Sequence, residues 1–219
     1  MAVRESFDKE LNELTNKLLE LGNLAGKALE RSMEALVNKD IDLALEVIED
    51  DVHINHLEEE INDDAIILIA RQSPVARDLR KIIVAIKISA DVERMADHAV
   101  NIAKETIRIG KNPHGLSYDG LITLSKYAQE MLTLALKAFI DNDTVLAKKL
   151  AEMDDQVDDL YAKLVKEYTG ESSEKQEMQT IATHLSFVAR FLERFADHAT
   201  NISEGIFYLV KGIRYDLNQ

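Results

Sequence analysis

Glu93, Asp97 and Asn101 recur at four-residue intervals, and Glu193, Asp197 and Asn201 repeat the set one hundred positions later. Residues four apart share one face of an α-helix, so each trio lines up its oxygens as a stripe. Like charges at that spacing repel by roughly 0.2–0.5 kcal/mol unless a positive group offsets them. Each stripe therefore calls for a metal cation or a cationic side chain. The flanking decapeptides, ERMADHAVNI at 93–102 and ERFADHATNI at 193–202, agree at eight of ten positions. That agreement marks an internally duplicated chain with one copy of a site in each half.

Further oxygens come from the helix preceding each stripe. Glu49, Asp51, Ile54 and Leu57 align with Glu152, Asp154, Val157 and Leu160 at an offset of 103. Asp51-x-x-x-Asn55 and Asp154-x-x-x-Asp158 then repeat the i, i+4 spacing, with Glu49, Asp50 and Asp155 close by. Ala90, Ala96 and Ala99, with Ala189, Ala196 and Ala199, leave room for such a helix to approach. Oxygen-rich sites between facing helices suit hard or borderline cations such as iron, manganese, magnesium or calcium. Zinc can enter through His98 or His198.

The competing reading is an ordinary helix surface on which Arg94 pairs with Asp97 and Arg194 with Asp197. Retention of Glu, Arg, Asp, His and Asn together, while the halves diverge elsewhere, favours a shared metal or partner site. His98 and His198 lie about 100° around the helix from the adjacent Asp, and read as half-exposed side chains bonded to a neighbour. His53, His56, His114 and His184 have no counterpart in the repeat and read as structural or exposed. Phe207 and Tyr208 read as packing residues. Asn55 stands where the second half has Asp158, so if one copy alone is complete, it is the second.

The elements that position these residues are helices. Only eight Gly and two Pro occur in 219 residues, and 46% of the chain is apolar, which predicts an all-α fold with short connections. Periodicity places helices at about Arg4–Asn38, Asp40–Arg71, Pro74–Ile109, Tyr118–Asp141, Thr144–Tyr168 and from Ser172 or Ser173 to Lys211. Ser73-Pro74 reads as an N-cap and first helical residue, Gly110 as a helix stop, and Asp143 as an N-cap. Gly22, Ala25 and Gly26 permit close approach of another helix. The expected architecture is two tandem three-helix bundles, 1–110 and 117–219, joined by a linker at 111–116.

A net charge of −14 argues against duplex nucleic acid as a partner. No run of 18 apolar residues or secretory h-region is evident, and the chain has no cysteine. The expectation is a cytoplasmic protein without disulfides or thiolate metal ligands. No phosphate loop, nucleophile elbow or His-Glu-x-x-His motif appears.

The stretch RQSPVARDLR at Arg71–Arg80 has no counterpart in the second half. Arg77, Asp78 and Arg80 read as first-turn pairing residues or as contacts to a partner. Extended through RKIIVAIKISADVERMADHAVNIAKE, with HLSFVARFLERFADHATNISEGIFYLVKG and the opening FDKELNELTNKLLELG, the sequence resembles the PhoU family over nearly its whole length. The resemblance implies two three-helix bundles related by a pseudo-twofold axis. It also implies a non-enzymatic, homodimeric negative regulator of the phosphate-starvation response, coupling the ATPase subunit of a phosphate transporter to a sensor histidine kinase. Multinuclear iron or zinc clusters on Glu/Asp-x-x-x-Asp motifs are implied as well. Glu93 with Asp97, Glu193 with Asp197 and Asp154 with Asp158 match that motif, whereas Asp51 with Asn55 departs at its second position. The alternative, a carboxylate-bridged di-metal oxidase, expects Glu-x-x-His pairs. Here Glu and His stand five apart, off a common face.

Overall fold

The computed structural model describes residues 2–111, 115–170 and 176–213. Six helices follow in order: α1 (Ala2–Asn38), α2 (Ile41–Gln72), α3 (Ala76–Ile109), α4 (Asp119–Asp141), α5 (Thr144–Gly170) and α6 (Gln176–Lys211). The first three pack on one another as one bundle and the last three as a second. The most extensive contact between any two helices joins α3 to α6, so these form the seam of the molecule. The periodic apolar residues of α1 reach the core: Phe7, Leu11, Leu14, Leu18 and Leu21 are all buried.

A second contact between the halves is made by α1 and α4. A Cβ placed on Gly22 would fall 2.3 Å from Leu136, and one on Gly26 would fall 2.6 Å from the Gln129 amide. The helix approaching these small residues thus belongs to the other half.

Helix ends follow local chemistry. Asp40 caps α2 by accepting from Leu43 N–H at 3.0 Å, and Asp143 accepts from Val145 and Leu146 at the start of α5. Gly110 closes α3 at φ +71, donating to Thr106 O. The α2–α3 turn differs from expectation. Ser73 is the left-handed C-cap of α2, its N–H bonded to Ile69 O, so it does not cap the next helix. Val75 is extended and α3 begins at Ala76, itself at φ +49. A residue before proline is disfavoured in the right-handed helical region, so α2 stops at Ser73 and the chain crosses Pro74–Val75 before turning again. The expected caps at Ser172 and Ser173, and His114 in the linker, lie outside the described residues.

Arg77, Asp78 and Arg80 separate in space. Asp78 takes Arg4 of α1 at 2.6 Å, and Arg4 also lies over the Phe7 ring. Arg80 donates to Leu209 O near the end of α6, while Arg77 is exposed. Two of the three therefore tie helix ends within the chain.

Candidate functional site

Facing helices bring the two carboxylate stripes against the acidic residues of their neighbours, α3 against α2 and α6 against α5. In the second half Asp158, Glu193 and Asp197 each offer an oxygen, and these oxygens lie within 4.8 Å of one another. Among the described residues this is the one group of three potential metal-binding side chains so close. Asp154, one turn before Asp158, is buried beside it.

The electrostatics show how little offsets this charge. Burial, then Asp197 and Asp158, push the Glu193 carboxyl up to about 7, against weaker pulls from Arg194 and Arg190. Burial and the Asp197 carboxylate hold Asp154 at about 6; the Thr200 hydroxyl is near enough to moderate this without an ordinary hydrogen bond. Asp158 and Asp197 are raised too, both mainly by burial. Neither Arg194–Asp197 nor Arg94–Asp97 is among the salt bridges of the described residues, so the surface-pair reading is set aside.

The first half assembles the same positions with a weaker charge. Glu93 is raised by burial and by Asp97, Glu58 and Asp51. Asp51 is raised by burial, opposed by the Asn55 amide, which donates to it at 3.1 Å. With Asn55 in place of a carboxylate, no comparable triad closes among the described residues. Asp50 turns away to meet Arg31 of α1 at 2.5 Å.

Both sites contain buried oxygens without partners: Asp51 Oδ1, Asn55 Oδ1, Asp154 Oδ1 and Thr200 Oγ1 make no hydrogen bond. Unsatisfied buried acceptors are rare and call for an explanation. In the second half, hard oxygen donors converging within 4.8 Å of one another and only weakly offset by Arg194 and Arg190 could hold a divalent or trivalent metal ion.

Two of the histidines, His198 and His184, are side chains bonded to a neighbour, in line with the sequence reading, and His98 is not. His198 directs Nδ1 across the seam to Asp91 Oδ1 at 2.9 Å. His98 stacks on His198 and on Phe191, with ring centroids 5.6 and 6.0 Å apart, and its Nδ1 is buried without a partner. Burial, reinforced by His198 and Arg194, lowers His98 to about 4. His184, read from sequence as structural or exposed, grips the buried Glu105 of α3 at 2.6 Å, and Arg108 closes on the same carboxylate. The repeat could not reveal this pair, because the residues at the equivalent positions are Val84 and Gly205.

Comparison with known proteins matches this arrangement to a family model described as the PhoU domain, twice along the chain, at residues 18–106 and 121–206. The chain belongs to the PhoU family. A relative from Rhizobium meliloti is 37% identical over 96% of this chain and 89% of its own length. One from Aquifex aeolicus is 40% identical over 93% and 92%. Both are named phosphate-specific transport system accessory protein PhoU homologues. The crystal structure of PhoU from Pseudomonas aeruginosa superposes with a TM-score of 0.87 at 34% identity, over 94% of this chain and all of that one. The phosphate transport system regulatory protein PhoU of Streptococcus pneumoniae gives 0.89 at 33%, over 96% and 99%. The PhoU family is an accessory, non-enzymatic one, so the di-metal oxidase alternative falls away. Among the described residues no helix is long and apolar enough to cross a membrane.

Proposed function

We propose that this chain is a cytoplasmic accessory regulator of phosphate uptake, acting as a negative regulator of the phosphate-starvation response. It docks on the ATPase subunit of a phosphate transporter and on a sensor histidine kinase, and so reports transport to signalling. The observation that carries this reading is the family match across both halves to accessory proteins of phosphate-specific transport systems. Docking by acidic helix faces suits a chain of net charge −14 without a catalytic constellation.

In the same reading, metal ions, iron or zinc, sit on the acidic faces. Asp154, Asp158, Glu193 and Asp197 would hold them in the second half, and Asp51, Asn55, Glu93 and Asp97 in the first. A bound cation would join α5 to α6, or α2 to α3, by neutralising carboxylates that otherwise repel, and would fix the shape of the docking face. A homodimer brings two such faces into one assembly.

The test is a pull-down from phosphate-replete cells, comparing wild type with a Glu93→Ala, Glu193→Ala double variant, alongside metal analysis of protein purified without chelator. Recovery of the transporter ATPase or the sensor kinase by wild type, reduced in the variant, is the expected outcome. Recovery of neither partner by wild type sinks the adaptor reading. Absence of metal from wild type sinks the metal reading alone.

A further inference from the structure

The α3–α6 seam is pseudo-symmetric in its contacts, and its two sides differ in one consequential way. Asp91 with His198 is matched by Phe191 with His98, and Val84 beside Gly205 is matched by His184 with Glu105. On the second of these sides, long side chains fill the seam: His184, Phe191 and Glu105, closed by Arg108. On the first, the equivalent residues are Val84, Asp91, Gly205 and Tyr208, and a cavity of about 550 Å³ opens between the helices. Ala90, where the filled side has Arg190, lines the same opening.

This cavity is of a size that holds a small organic ligand. Its floor is apolar and its rim mixes charges, with Lys87 and Arg94 opposed by Asp91 and Glu204. Both basic residues are exposed, and neither takes part in any salt bridge among the described residues. The Asp91 carboxylate, by contrast, is already engaged by His198 and Asn201. Tyr208 offers a half-buried ring at the edge of the apolar floor. An inorganic anion would use the two cations and leave the floor and ring without a partner. A purely apolar molecule would leave the cations unanswered and desolvate the carboxylates. A ligand with an anionic tail, hydroxyl or amino donors and a flat ring answers all three features.

We propose that the cavity between α3 and α6 binds a nucleoside phosphate, its phosphates on Lys87 and Arg94 and its ring between Tyr208 and the apolar floor. The site is separate from the acidic faces and stands whether or not these hold metal.

The probe is ADP, titrated calorimetrically into the full chain in buffer containing chelator, with adenosine and inorganic phosphate as parallel titrants. ADP is expected to bind at micromolar concentration, with adenosine and phosphate each weaker by about tenfold or more. Lys87→Gln, on an exposed side chain, is expected to weaken ADP by about tenfold. Ala90→Arg, which copies the residue of the filled side, is expected to abolish binding, and its melting temperature reports whether it folds. Arg190→Gln on the opposite side should leave ADP binding unchanged. No ADP binding up to millimolar concentration overturns the proposal. So does phosphate binding as tightly as ADP, or wild-type affinity in Lys87→Gln together with a folded Ala90→Arg.

Discussion

With chelator present, raising the pH should loosen the second half through the titration of Glu193. Its carboxyl ionises near 7 in the folded protein, against an ordinary value of 4.5. Between these values the native state keeps a proton that the unfolded chain has lost, so unfolding free energy falls as pH rises from about 4.5 to 7. A carboxyl fully sealed from water and shifted this far would lose about 3 kcal/mol across that window. Glu193 is only half-buried, and solvent screening reduces the expected loss to about 1 kcal/mol. Asp154, held at about 6 from an ordinary 3.8, adds in the same direction over a lower window.

Glu193→Gln isolates the effect, because it keeps the shape and deletes the charge. In urea unfolding followed by circular dichroism, with chelator present, the variant should exceed wild type by about 1 kcal/mol at pH 8 and by nothing at pH 4. In a chain of this size that is about 2–4 °C in melting temperature. A variant no more stable than wild type at pH 8, or an advantage that does not change between pH 4 and 8, refutes the argument. If the acidic face holds metal as proposed, adding zinc or iron at pH 8 should reverse the order, since a bound cation stabilises the state that holds it and wild type would hold it better.

Two further outcomes follow from the same geometry. Asn55→Asp restores the carboxylate that the first half lacks, and should tighten metal binding there by about tenfold, read by calorimetry with zinc or manganese; unchanged affinity and stoichiometry would show that Asn55 does not face the ion. His184→Ala removes a partner from the buried Glu105, and should lower stability by about 1–3 kcal/mol. A double-mutant cycle with Glu105→Ala should then show coupling, and strict additivity would mean that the pair does not hold the seam.

What the sequence made legible was whatever repeats along one helix or between aligned helices. The i, i+4 stripes, the offset of 103 between the preceding helices and the substitution of Asn55 for Asp158 are all readable without coordinates. Contacts that break the repeat were not. His184 and Glu105 are 79 residues apart and belong to different halves, so comparison of the halves gave each a nonpolar or absent counterpart and no reason to join them. Tyr208 read as a packing residue near the end of α6, yet it borders a cavity that only the α3–α6 crossing creates. The α2–α3 turn misled for a local reason: Ser-Pro is a valid helix start in isolation, and Ser73 was already committed to ending the helix before it.

The distribution of what was kept and what diverged carries its own argument. The carboxylates retained in both halves lie where α3 meets α2 and where α6 meets α5, within each bundle. The divergent pairs lie where α3 meets α6. At a twofold axis between identical subunits, a residue that contacts its symmetry mate at one place must make the same contact at the other. Once the two copies are one chain, each half is free to diverge, and at the seam a residue need no longer suit its own symmetry mate. One side now has His184 on Glu105 while the other has Val84 beside Gly205. The repeated carboxylates Glu93 with Asp97 and Glu193 with Asp197 face the helix of their own bundle rather than the seam, so the symmetry of the junction does not account for them. The seam is accordingly where a function unique to the fused chain has room to arise, and it is also where the cavity opens.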